Sequence, residues 1–524
     1  MDPAARDSGV TLAELIAAFS LATDLGLGQP MEHVLRSWVI AARLGEHMAL
    51  EPSDRSSLYY VATLAWVGCV ADTPELATWF GDDIAFRADS RQIDLAGLPM
   101  LGFMLRHAGI GSPSLHRVRL GASLVVTGGK GVERALLSHC LTTSRMADRL
   151  GLGTGVCDAL QQAFTRWDGK GVPSGVGGAD IALPMRLFQL ADIVEVFQRD
   201  GGVDAAVEVV RARRGKQFDP DVVDAFCQVA ADVFGDPSAE LDWQALVADD
   251  PGLQQRLTDA ELDAALEAIA DFTDLRSPCR SGHSRAVANL TARAAASCGL
   301  PEADVAAARR AGLLHDIGMH GMPATILEKA GPLSASETER VRMNPYYAER
   351  MLARPQALQR IGSIVSFAHE RCDGSGYHRG VAGPAIPVTA RVLASACAFS
   401  AMTEPRPYRP AMAAKQAVSE LRSEIRAGRL DAMAVDAVLA AAGQSRGKRA
   451  TGPAGLTPRE IEVLTLLARG ASTRQVAKQL SITPKTTETH IERIYAKTGA
   501  STRSTVTLFA MQNGLLDPLA PMDL

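Results

Sequence analysis

Four residues in the second half of the chain carry side chains that bind divalent metal ions in proteins. They are His283, the adjacent pair His315 and Asp316, and His369. Imidazole and carboxylate groups suit Fe, Mn or Zn, and an adjacent carboxylate can bridge two ions. The alternative is that these are ordinary core or surface side chains, and the spacing alone leaves both possibilities open. We therefore treat them as candidate metal ligands, with His315 and Asp316 as the candidate catalytic pair.

The segment 276–410 contains a series of short motifs in a recognisable order. They are Gly282-His-Ser-Arg285, His315-Asp-Ile-Gly318, Pro323 with Ile326-Leu327, Lys329-Ala-Gly-Pro-Leu333, His369-Glu-Arg-Cys-Asp-Gly-Ser-Gly-Tyr377 and Arg406-Pro-Tyr-Arg-Pro410. Together they resemble the HD-GYP subgroup of HD-domain phosphohydrolases. The resemblance implies an all-helical metal-binding fold and, in active members, hydrolysis of cyclic di-GMP by a metal-activated water.

The chain departs from this family at four positions of the expected site. Met319 replaces a lysine, Asn344 and Ala368 replace histidines, and Cys397 replaces an aspartate ligand. The resemblance leaves five candidate metal ligands: His283, His315, Asp316, His369 and Cys397. We expect at most one divalent ion (Fe, Mn or Zn), because the residues left for a second ion form a poor set. Hydrolytic activity stays uncertain.

The chain contains an internal repeat. Residues 163–194 align without gaps onto 368–399, with eleven of 32 positions identical, several of them glycines. A weaker match aligns His33 with His283. The two halves of the body therefore read as copies of one domain.

The first copy lacks the residues of a metal site. Ala65 and Trp66 stand at the positions of His315 and Asp316, and Phe164 at that of His369, although Asp192 keeps the aspartate that Cys397 replaces. We predict a scaffold or sensing domain without catalysis. A group of aromatic residues is a candidate lining for a small-molecule pocket, and the alternative is that they are ordinary core residues. The group consists of Trp66, Trp79, Phe80 and Trp167.

Helical periodicity dominates the chain, and strand-like alternation is scarce. Apolar residues recur at helical spacing in 12–19 and in 262–272. The predicted fold class is all-α, with two tandem HD-like domains followed by a four-helix DNA-binding module. The predicted boundaries are 10–240, 258–445, a Gly-rich basic linker at 446–454, and 455–520.

The C-terminal module carries the signals of a helix-turn-helix. Thr457, Pro458 and Glu460 form the cap of a first helix, and 472–480 reads as a second. Thr483 caps a third helix, in which Thr487, Ile491 and Ile494 form the buried stripe. A fourth helix is expected at about 502–512.

This module closely resembles the LuxR-type helix-turn-helix. The matching residues are Leu456-Thr with Arg459-Glu460, Glu462-Val-Leu464, Gly470, Val476-Ala477, Leu480, Lys485-Thr486, His490, Ile494, Lys497, Arg503 and Gly514-Leu515. The resemblance implies sequence-specific binding of double-stranded DNA, usually as a dimer. The alternative is a helical protein-interaction module. The predicted DNA-contacting residues are Arg474, Lys478, Lys485, Thr486, Thr489, Arg493 and Lys497.

The charge distribution agrees with a separate DNA-binding module. The net charge is −5, yet 446–524 holds eleven basic and six acidic residues. The remaining 445 residues therefore carry −10, and the basic tail carries +5. A basic module on an acidic body is typical of a nucleic-acid-binding regulator.

The composition excludes several other classes of protein. The chain has 47% hydrophobic and 22% charged residues, typical of globular domains. It shows neither a signal peptide nor an apolar run long enough to cross a membrane, so we expect a cytoplasmic protein without membrane contact. Its eight cysteines include no Cys-x-x-Cys pair. Neither a phosphate-binding Gly loop nor a receiver domain is recognisable.

The expected function is that of a transcriptional regulator. Its HD-GYP-like body would sense a ligand or mediate dimerisation, and the expected partners are double-stranded DNA, a nucleotide or other small molecule, and a second copy of the chain. The alternative is an active metal-dependent phosphohydrolase of the cyclic di-GMP phosphodiesterase type with a DNA-binding output domain.

Overall fold

A computed structural model describes residues 7–94, 96–127, 130–235, 243–444, 453–500, 503–513 and 515. The chain divides into two compact units, 1–442 and 443–524. The first unit contains both copies of the repeat, and the second contains the C-terminal module.

The first unit is built almost entirely of helices among its described residues. The helices of its first half are α1 (Leu12–Gly26), α2 (His33–His47), α3 (Pro52–Leu64), α4 (Cys69–Phe80), α5 (Asp83–Ser90), α6 (Gly97–His107), α7 (Ser114–Val126), α8 (Lys130–Arg149), α9 (Thr154–Leu160), α10 (Leu183–Arg213), α11 (Pro220–Phe234) and α12 (Trp243–Asp249). Those of its second half are α13 (Asp259–Asp274), α14 (His283–Ser297), α15 (Glu302–Leu314), α16 (Ala324–Leu327), α17 (Ala335–Arg342), α18 (Asn344–Leu352), α19 (Gln359–Val365), α20 (Val388–Thr403), α21 (Ala414–Arg426) and α22 (Ala432–Ala441).

Short 3₁₀ segments and one small sheet complete the described part of this unit. The 3₁₀ segments are Gly178–Asp180, Pro251–Leu253, Pro278–Arg280, Ile317–Gly321, Gln356–Leu358 and Gly383–Ala385. Strand β1 (Asp7–Thr11) pairs antiparallel with β2 (Arg256–Thr258). The sheet joins the starts of the two repeats, and the all-α fold class predicted from the sequence is confirmed.

The two repeats begin in the same way because their sequences encode the same cap. Thr11 precedes α1 and Thr258 precedes α13, and each hydroxyl accepts a hydrogen bond from the backbone N–H three residues later. In turn, the carboxylates of Glu14 and Glu261 accept hydrogen bonds from the backbone N–H groups of the capping threonines. These capping boxes satisfy backbone donors that would otherwise be unpaired at the helix start.

The two repeats share one hydrophobic core. A single cluster of buried side chains runs from α1 through α10 to α14, α15 and α20. The core is continuous partly because α1 packs against the segment 317–321 and against α18 of the second repeat. The repeats are therefore two halves of one unit, and the boundaries 10–240 and 258–445 stay predictions.

His320 lies buried at the contact between the two repeats. His320 is 2% exposed, and its ring meets that of Phe19 edge-on with centroids 5.9 Å apart. Burial and the charge of Arg276 lower its pKa to about 3. His320 is therefore a neutral core residue where the two repeats meet, a contact that motif matching does not reveal.

The second unit contains four helices in its described residues. They are α23 (Pro458–Ala468), α24 (Thr473–Gln479), α25 (Pro484–Thr498) and α26 (Arg503–Gln512), preceded by a 3₁₀ turn at Pro453–Gly455. Thr457 and Glu460 form the predicted capping box of α23, and Thr483 caps α25. Most of the predicted linker, 446–452, and residues 516–520 lie outside the described residues.

The described helices include none that is both long and apolar enough to cross a membrane.

Gly312 sets the distance between the two helices that carry the candidate metal ligands. A Cβ at this position would lie 2.6 Å from the Cα of Ala288, so α15 could not lie so close to α14. Gly312→Ala is expected to destabilise the protein by about 1 to 3 kcal/mol, the usual cost of overpacking. Urea denaturation followed by circular dichroism would measure this loss.

Gly102→Ala is the matched control for that substitution. Gly102 lies within α6, is exposed, and a Cβ there would meet nothing within 4 Å. This variant should be neutral or slightly stabilising, because alanine favours a helix interior over glycine. Equal effects of the two substitutions would contradict the close approach at Gly312.

Candidate functional site

Three of the predicted metal ligands lie together in the second repeat. His283 begins α14, whereas His315 and Asp316 follow the end of α15. The Nε2 atoms of His283 and His315 lie 3.4 Å and 3.0 Å from Oδ2 of Asp316. All three residues are buried, at 5%, 1% and 2% exposure.

The imidazoles of this group are in the protonation state that metal binding needs. His315 Nδ1 donates to the backbone oxygen of Gly312 at 2.8 Å, which assigns the lone pair to Nε2. Burial, with the nearby charges of Arg280 and Arg406, lowers the pKa of His283 to about 2. Burial also lowers the pKa of His315 well below its usual range. Both rings are therefore neutral at physiological pH and able to coordinate.

The spacing of these donors fits one divalent ion. Metal–ligand bonds of about 2.0 to 2.2 Å place neighbouring nitrogen and oxygen ligands roughly 3 to 3.5 Å apart. The 3.0 Å and 3.4 Å separations of His315 and His283 from Asp316 lie in that range. With three protein ligands, the set would leave a coordination position for water, as in catalytic zinc sites.

Arg280 competes for the same carboxylate. Its Nη2 forms an ion pair with Oδ2 of Asp316, the oxygen that faces both histidines. Burial, together with the charge of Arg406, lowers the pKa of Arg280 to about 10, so it remains charged at neutral pH. An ion could bind the three donors only if this guanidinium moved away from Asp316. The sequence analysis missed Arg280, although a basic residue three positions before His283 was a visible signal.

Cys397 and His369 lie outside this compact group. Neither belongs to the set whose ligand atoms are all within 4.8 Å of one another. Burial raises the pKa of Cys397 to about 12, which keeps it a thiol. His369 stacks on Tyr377 with ring centroids 5.0 Å apart, and its buried Nε2 has no hydrogen-bond partner among the described residues. The structure therefore does not bring Cys397 together with His283, His315 and Asp316.

Asn344 turns the second oxygen of Asp316 away from metal binding. Its Nδ2 donates to Oδ1 of Asp316 at 3.1 Å and to the backbone oxygen of His315 at 3.0 Å. A side-chain amide nitrogen has no lone pair to offer a metal. The arrangement fits a single ion, because the oxygen that would bridge to a second one is already hydrogen-bonded.

In the first repeat, the histidine that corresponds to His283 is His33, and both of its ring nitrogens form ion pairs. His33 places Nε2 3.0 Å from Asp192 and Nδ1 2.5 Å from Glu195. Burial alone would lower the pKa of His33, but the bonds to Asp192 and Glu195 outweigh burial and raise this pKa to about 9. A protonated imidazole with both nitrogens engaged cannot coordinate a metal.

A tryptophan and an arginine complete this network. The indole of Trp66 donates to Oδ1 of Asp192 at 2.9 Å, and Nε of Arg91 lies 3.2 Å from Oδ2. The Arg91 guanidinium also lies over the Trp66 ring, 5.0 Å from its centroid. The charge of Arg91 and the bond from His33 outweigh burial and lower the pKa of Asp192 to about 2.

Two buried aspartates that the sequence analysis missed hold the histidine-bearing helices. Asp24 accepts from the backbone N–H of Glu32 and Val34 at the start of α2. Asp274 accepts from the backbone N–H and the hydroxyl of Ser284 at the start of α14. The repeated Thr-Asp-Leu tripeptide at 23–25 and 273–275 was the available signal.

A second group with metal-ligand chemistry lies in the first repeat. Cys69, Asp72 and His139 are buried with their ligand atoms close together. Arg87 lies 2.5 Å from Asp72 and 2.6 Å from Asp83, however, so the carboxylate of the group is already balanced. We assign no metal to it.

The C-terminal unit exposes most of the predicted DNA-contacting side chains. Thr487 and Ile494 are buried, which turns the other face of α25 outward. Exposed on α24 and α25 are Arg474, Lys478, Lys485, Thr486, Thr489 and Arg493.

Two basic residues of this unit have internal partners instead. Lys497 Nζ lies 2.7 Å from the buried carboxylate of Glu460 and donates to the backbone oxygen of Gly455 at 3.0 Å. Arg503 donates to the backbone oxygens of Leu467 and Ala471. Both residues tie helices of the unit together, and the predicted DNA contact of Lys497 would compete with its bond to Glu460.

Comparison with known families agrees with the two resemblances. Residues 267–433 match the family described as HD domain, and residues 454–510 match bacterial regulatory proteins of the luxR family. The chain therefore combines an HD domain with a C-terminal luxR-family domain.

The curated relatives include cyclic-dinucleotide phosphodiesterases. The chain is 27% identical over 418 residues to 3'3'-cGAMP-specific phosphodiesterase 3 of Vibrio cholerae, covering 79% of this chain and 91% of the relative. It is 34% identical over 160 residues to a cyclic di-GMP phosphodiesterase of Thermotoga maritima, covering 30% and 43%.

A solved structure supports the fold of the larger unit. The crystal structure of a cyclic GMP-AMP-specific phosphodiesterase of V. cholerae matches with a TM-score of 0.58 and 25% identity. The match covers 83% of this chain and 98% of that one.

Protonated His33 is expected to make stability depend on pH. A pKa raised from 6.5 to about 9 gives a contribution that is complete below pH 6.5 and lost as the pH rises through 9. His33→Gln should cost about 3 to 5 kcal/mol near pH 7, because it leaves two buried carboxylates short of a cation. Urea denaturation at pH 7.5 and 9.5 should show a smaller difference from the unmodified chain at the higher pH.

The exposed residue His116 supplies the control for this measurement. His116→Gln should leave the stability and its pH dependence unchanged. A difference between His33→Gln and the unmodified chain that stays constant from pH 7.5 to 9.5 would contradict a protonated His33.

Proposed function

We propose that this chain, which joins an HD domain to a luxR-family domain, is a DNA-binding transcriptional regulator controlled by its HD-like unit. The match of residues 454–510 to luxR-family regulatory proteins carries the proposal. We further propose that the HD-like unit senses a ligand or mediates dimerisation.

The exposed face of α25 supports a role as the recognition helix. Thr486, Thr489 and Arg493 lie on this face, and hydroxyl and guanidinium groups can read base edges in the major groove. Arg474 and Lys478 on α24 are exposed and would suit contacts with phosphates.

The module also limits non-specific attraction to DNA. Glu488 and Glu492 are exposed on the same helix, where they would repel the phosphate backbone. Affinity should therefore depend strongly on matched base contacts, as a sequence-specific reader requires.

The state of the second-repeat site supports a regulatory role for the HD-like unit. Arg280 and Asn344 each engage one oxygen of Asp316. A site in which both carboxylate oxygens are engaged by protein groups is poorly arranged for two-metal hydrolysis.

Removing two basic residues from α25 is expected to weaken specific DNA binding strongly. Lys485→Ala with Arg493→Ala should lower the affinity for a selected site by at least about tenfold, since a base contact and a phosphate contact are lost. The slope of binding against salt concentration should also fall. Selection from a randomised duplex pool, then titration of the selected duplex, would measure both effects.

A charge-matched control removes two exposed basic residues of the other unit, Lys415 and Arg426. Lys415→Ala with Arg426→Ala should bind the selected duplex as the unmodified chain does. Failure of the unmodified chain to enrich any sequence at moderate salt would refute the proposal.

The second candidate function is that of a metal-dependent cyclic-dinucleotide phosphodiesterase. Two observations favour it: three donors have the spacing of metal ligands, and 3'3'-cGAMP-specific phosphodiesterase 3 of V. cholerae aligns over 91% of its length. His283, His315 and Asp316 would hold one ion of Fe, Mn or Zn, which would activate a water for attack on phosphorus.

Metal content tests the ion site that this candidate requires, and it does so without an activity assay. Arg280→Gln should raise the affinity for Mn²⁺ by about tenfold or more, because it frees the carboxylate of Asp316. His315→Ala should abolish binding, and Arg350→Gln, on the exposed surface of α18, should change nothing. Dialysis against Mn²⁺ followed by elemental analysis gives the occupancy of each variant.

Activity is the second readout of this candidate. The Mn²⁺- or Fe²⁺-loaded protein should linearise 3'3'-cGAMP or cyclic di-GMP, and the Ala variant of His315 should not. Absence of turnover with all of these metals and substrates would eliminate the phosphodiesterase function.

A further inference from the structure

A cavity of about 200 Å³ lies in the first repeat at the position equivalent to the metal site of the second. Its walls include Trp66, Phe164 and Asp192, the residues that the internal repeat aligns with Asp316, His369 and Cys397. The first repeat therefore has a cavity at the position where the second repeat has its candidate metal ligands, and side chains of different chemistry line it.

The walls of this cavity suit a flat ring. Trp66 and Phe164 lie with ring centroids 5.5 Å apart, and Phe86 contributes a third aromatic side chain. A dry cavity of about 150 Å³ can hold benzene, so 200 Å³ suits a ligand of one or two fused rings. Two linked nucleotides would exceed this space.

The charged groups at the cavity suit an acidic ligand. Four cationic side chains and two carboxylates, those of Asp72 and Asp192, line it, and one of the cations, Arg87, is already paired with Asp72 and Asp83. The cationic residues are Arg87, Arg91, Arg166 and Lys170.

Two of these cations have donors available for a ligand. Arg91 uses Nε for Asp192 and Nη1 for the backbone oxygen of Arg87, and its Nη2 has no hydrogen-bond partner among the described residues. Lys170 is exposed, and its ammonium group makes no ion pair with any side chain that the structure describes. Arg166, by contrast, is held by Asp94 and Asp168.

We propose that this cavity binds a small planar anion, a ligand of one or two aromatic rings bearing a phosphate or carboxylate group. The ring would lie against Trp66 and Phe164, and the acidic group would pair with Nη2 of Arg91 and with Lys170. The inference deepens the proposed sensing role by locating the ligand in the first repeat, in place of the metal-like site of the second.

The arrangement also explains why Arg91 lies where it does. A guanidinium over an aromatic face is stabilised by the ring, and it neutralises Asp192 without a metal ion. The Nη2 atom of the same side chain can donate to an anionic ligand. Arg91 therefore both neutralises Asp192 and contributes to the proposed binding site.

The test uses 1-naphthyl phosphate as the probe and 1-naphthol as its neutral counterpart. Isothermal titration of the full chain, with quenching of tryptophan fluorescence as a second readout, should show one phosphate probe bound per chain. The phosphate probe should bind at least about tenfold more tightly than the naphthol, since charge-assisted hydrogen bonds are lost without the acidic group.

Two variants test the assigned cations. Arg91→Gln should weaken the phosphate probe about tenfold or more and leave the naphthol little changed. Lys170→Gln, at an exposed position where folding is not at stake, should weaken it by a smaller factor. Arg211→Gln, exposed on α10 and away from the cavity, should have no effect.

The outcomes are distinct from those that test DNA binding, because this titration contains no DNA. Equal affinity for both probes, no saturable binding, or unchanged affinity in both cavity variants would overturn the proposal. If the probe binds as expected but the selected duplex is not affected by it, the cavity assignment stands and the regulatory coupling fails.

Discussion

A buried carboxylate that stays ionised needs a compensating charge or hydrogen bonds, and in both repeats a cation compensates the central carboxylate. Removing an ion from water costs several kcal/mol, which only a well-placed partner can offset. In the second repeat Arg280 balances Asp316, and in the first repeat Arg91 and His33 balance Asp192. In both repeats, protein cations among the described residues thus supply the positive charge that a metal ion would supply in a metal-dependent hydrolytic site.

The two repeats meet this constraint with different consequences. His283 and His315 remain neutral and close to Asp316, so the second repeat keeps donors that fit one ion in competition with Arg280. His33 is protonated and engaged by carboxylates at both nitrogens, so the first repeat has lost that capacity. The space beside Asp192 persists as a cavity with aromatic walls and positive charge, which are the properties of a binding site. The two repeats therefore differ at equivalent positions: the second keeps three candidate metal ligands, and the first has a cavity lined by aromatic and cationic side chains.

The C-terminal unit follows simpler rules, because most of its structure depends on local sequence. The capping boxes at Thr457 and Ser472 and the cap at Thr483 start its helices, and the apolar stripes of those helices form a small core of their own. Because Thr487 and Ile494 are buried in this core, the opposite face of α25 is exposed.

Caps, periodicity and motifs were enough to predict the all-helical class, the duplication, the helix starts and the two domain types. The motifs also identified His283, His315 and Asp316 as candidate metal ligands. The packed structure was needed to show that Arg280 pairs with Asp316, that Cys397 and His369 lie outside the group, and that Lys497 is bound to Glu460. These contacts join residues far apart in the chain, and their strength depends on burial and on the exact orientation of charged groups. Burial and the orientation of charged groups cannot be read from local sequence, because both depend on how the helices pack.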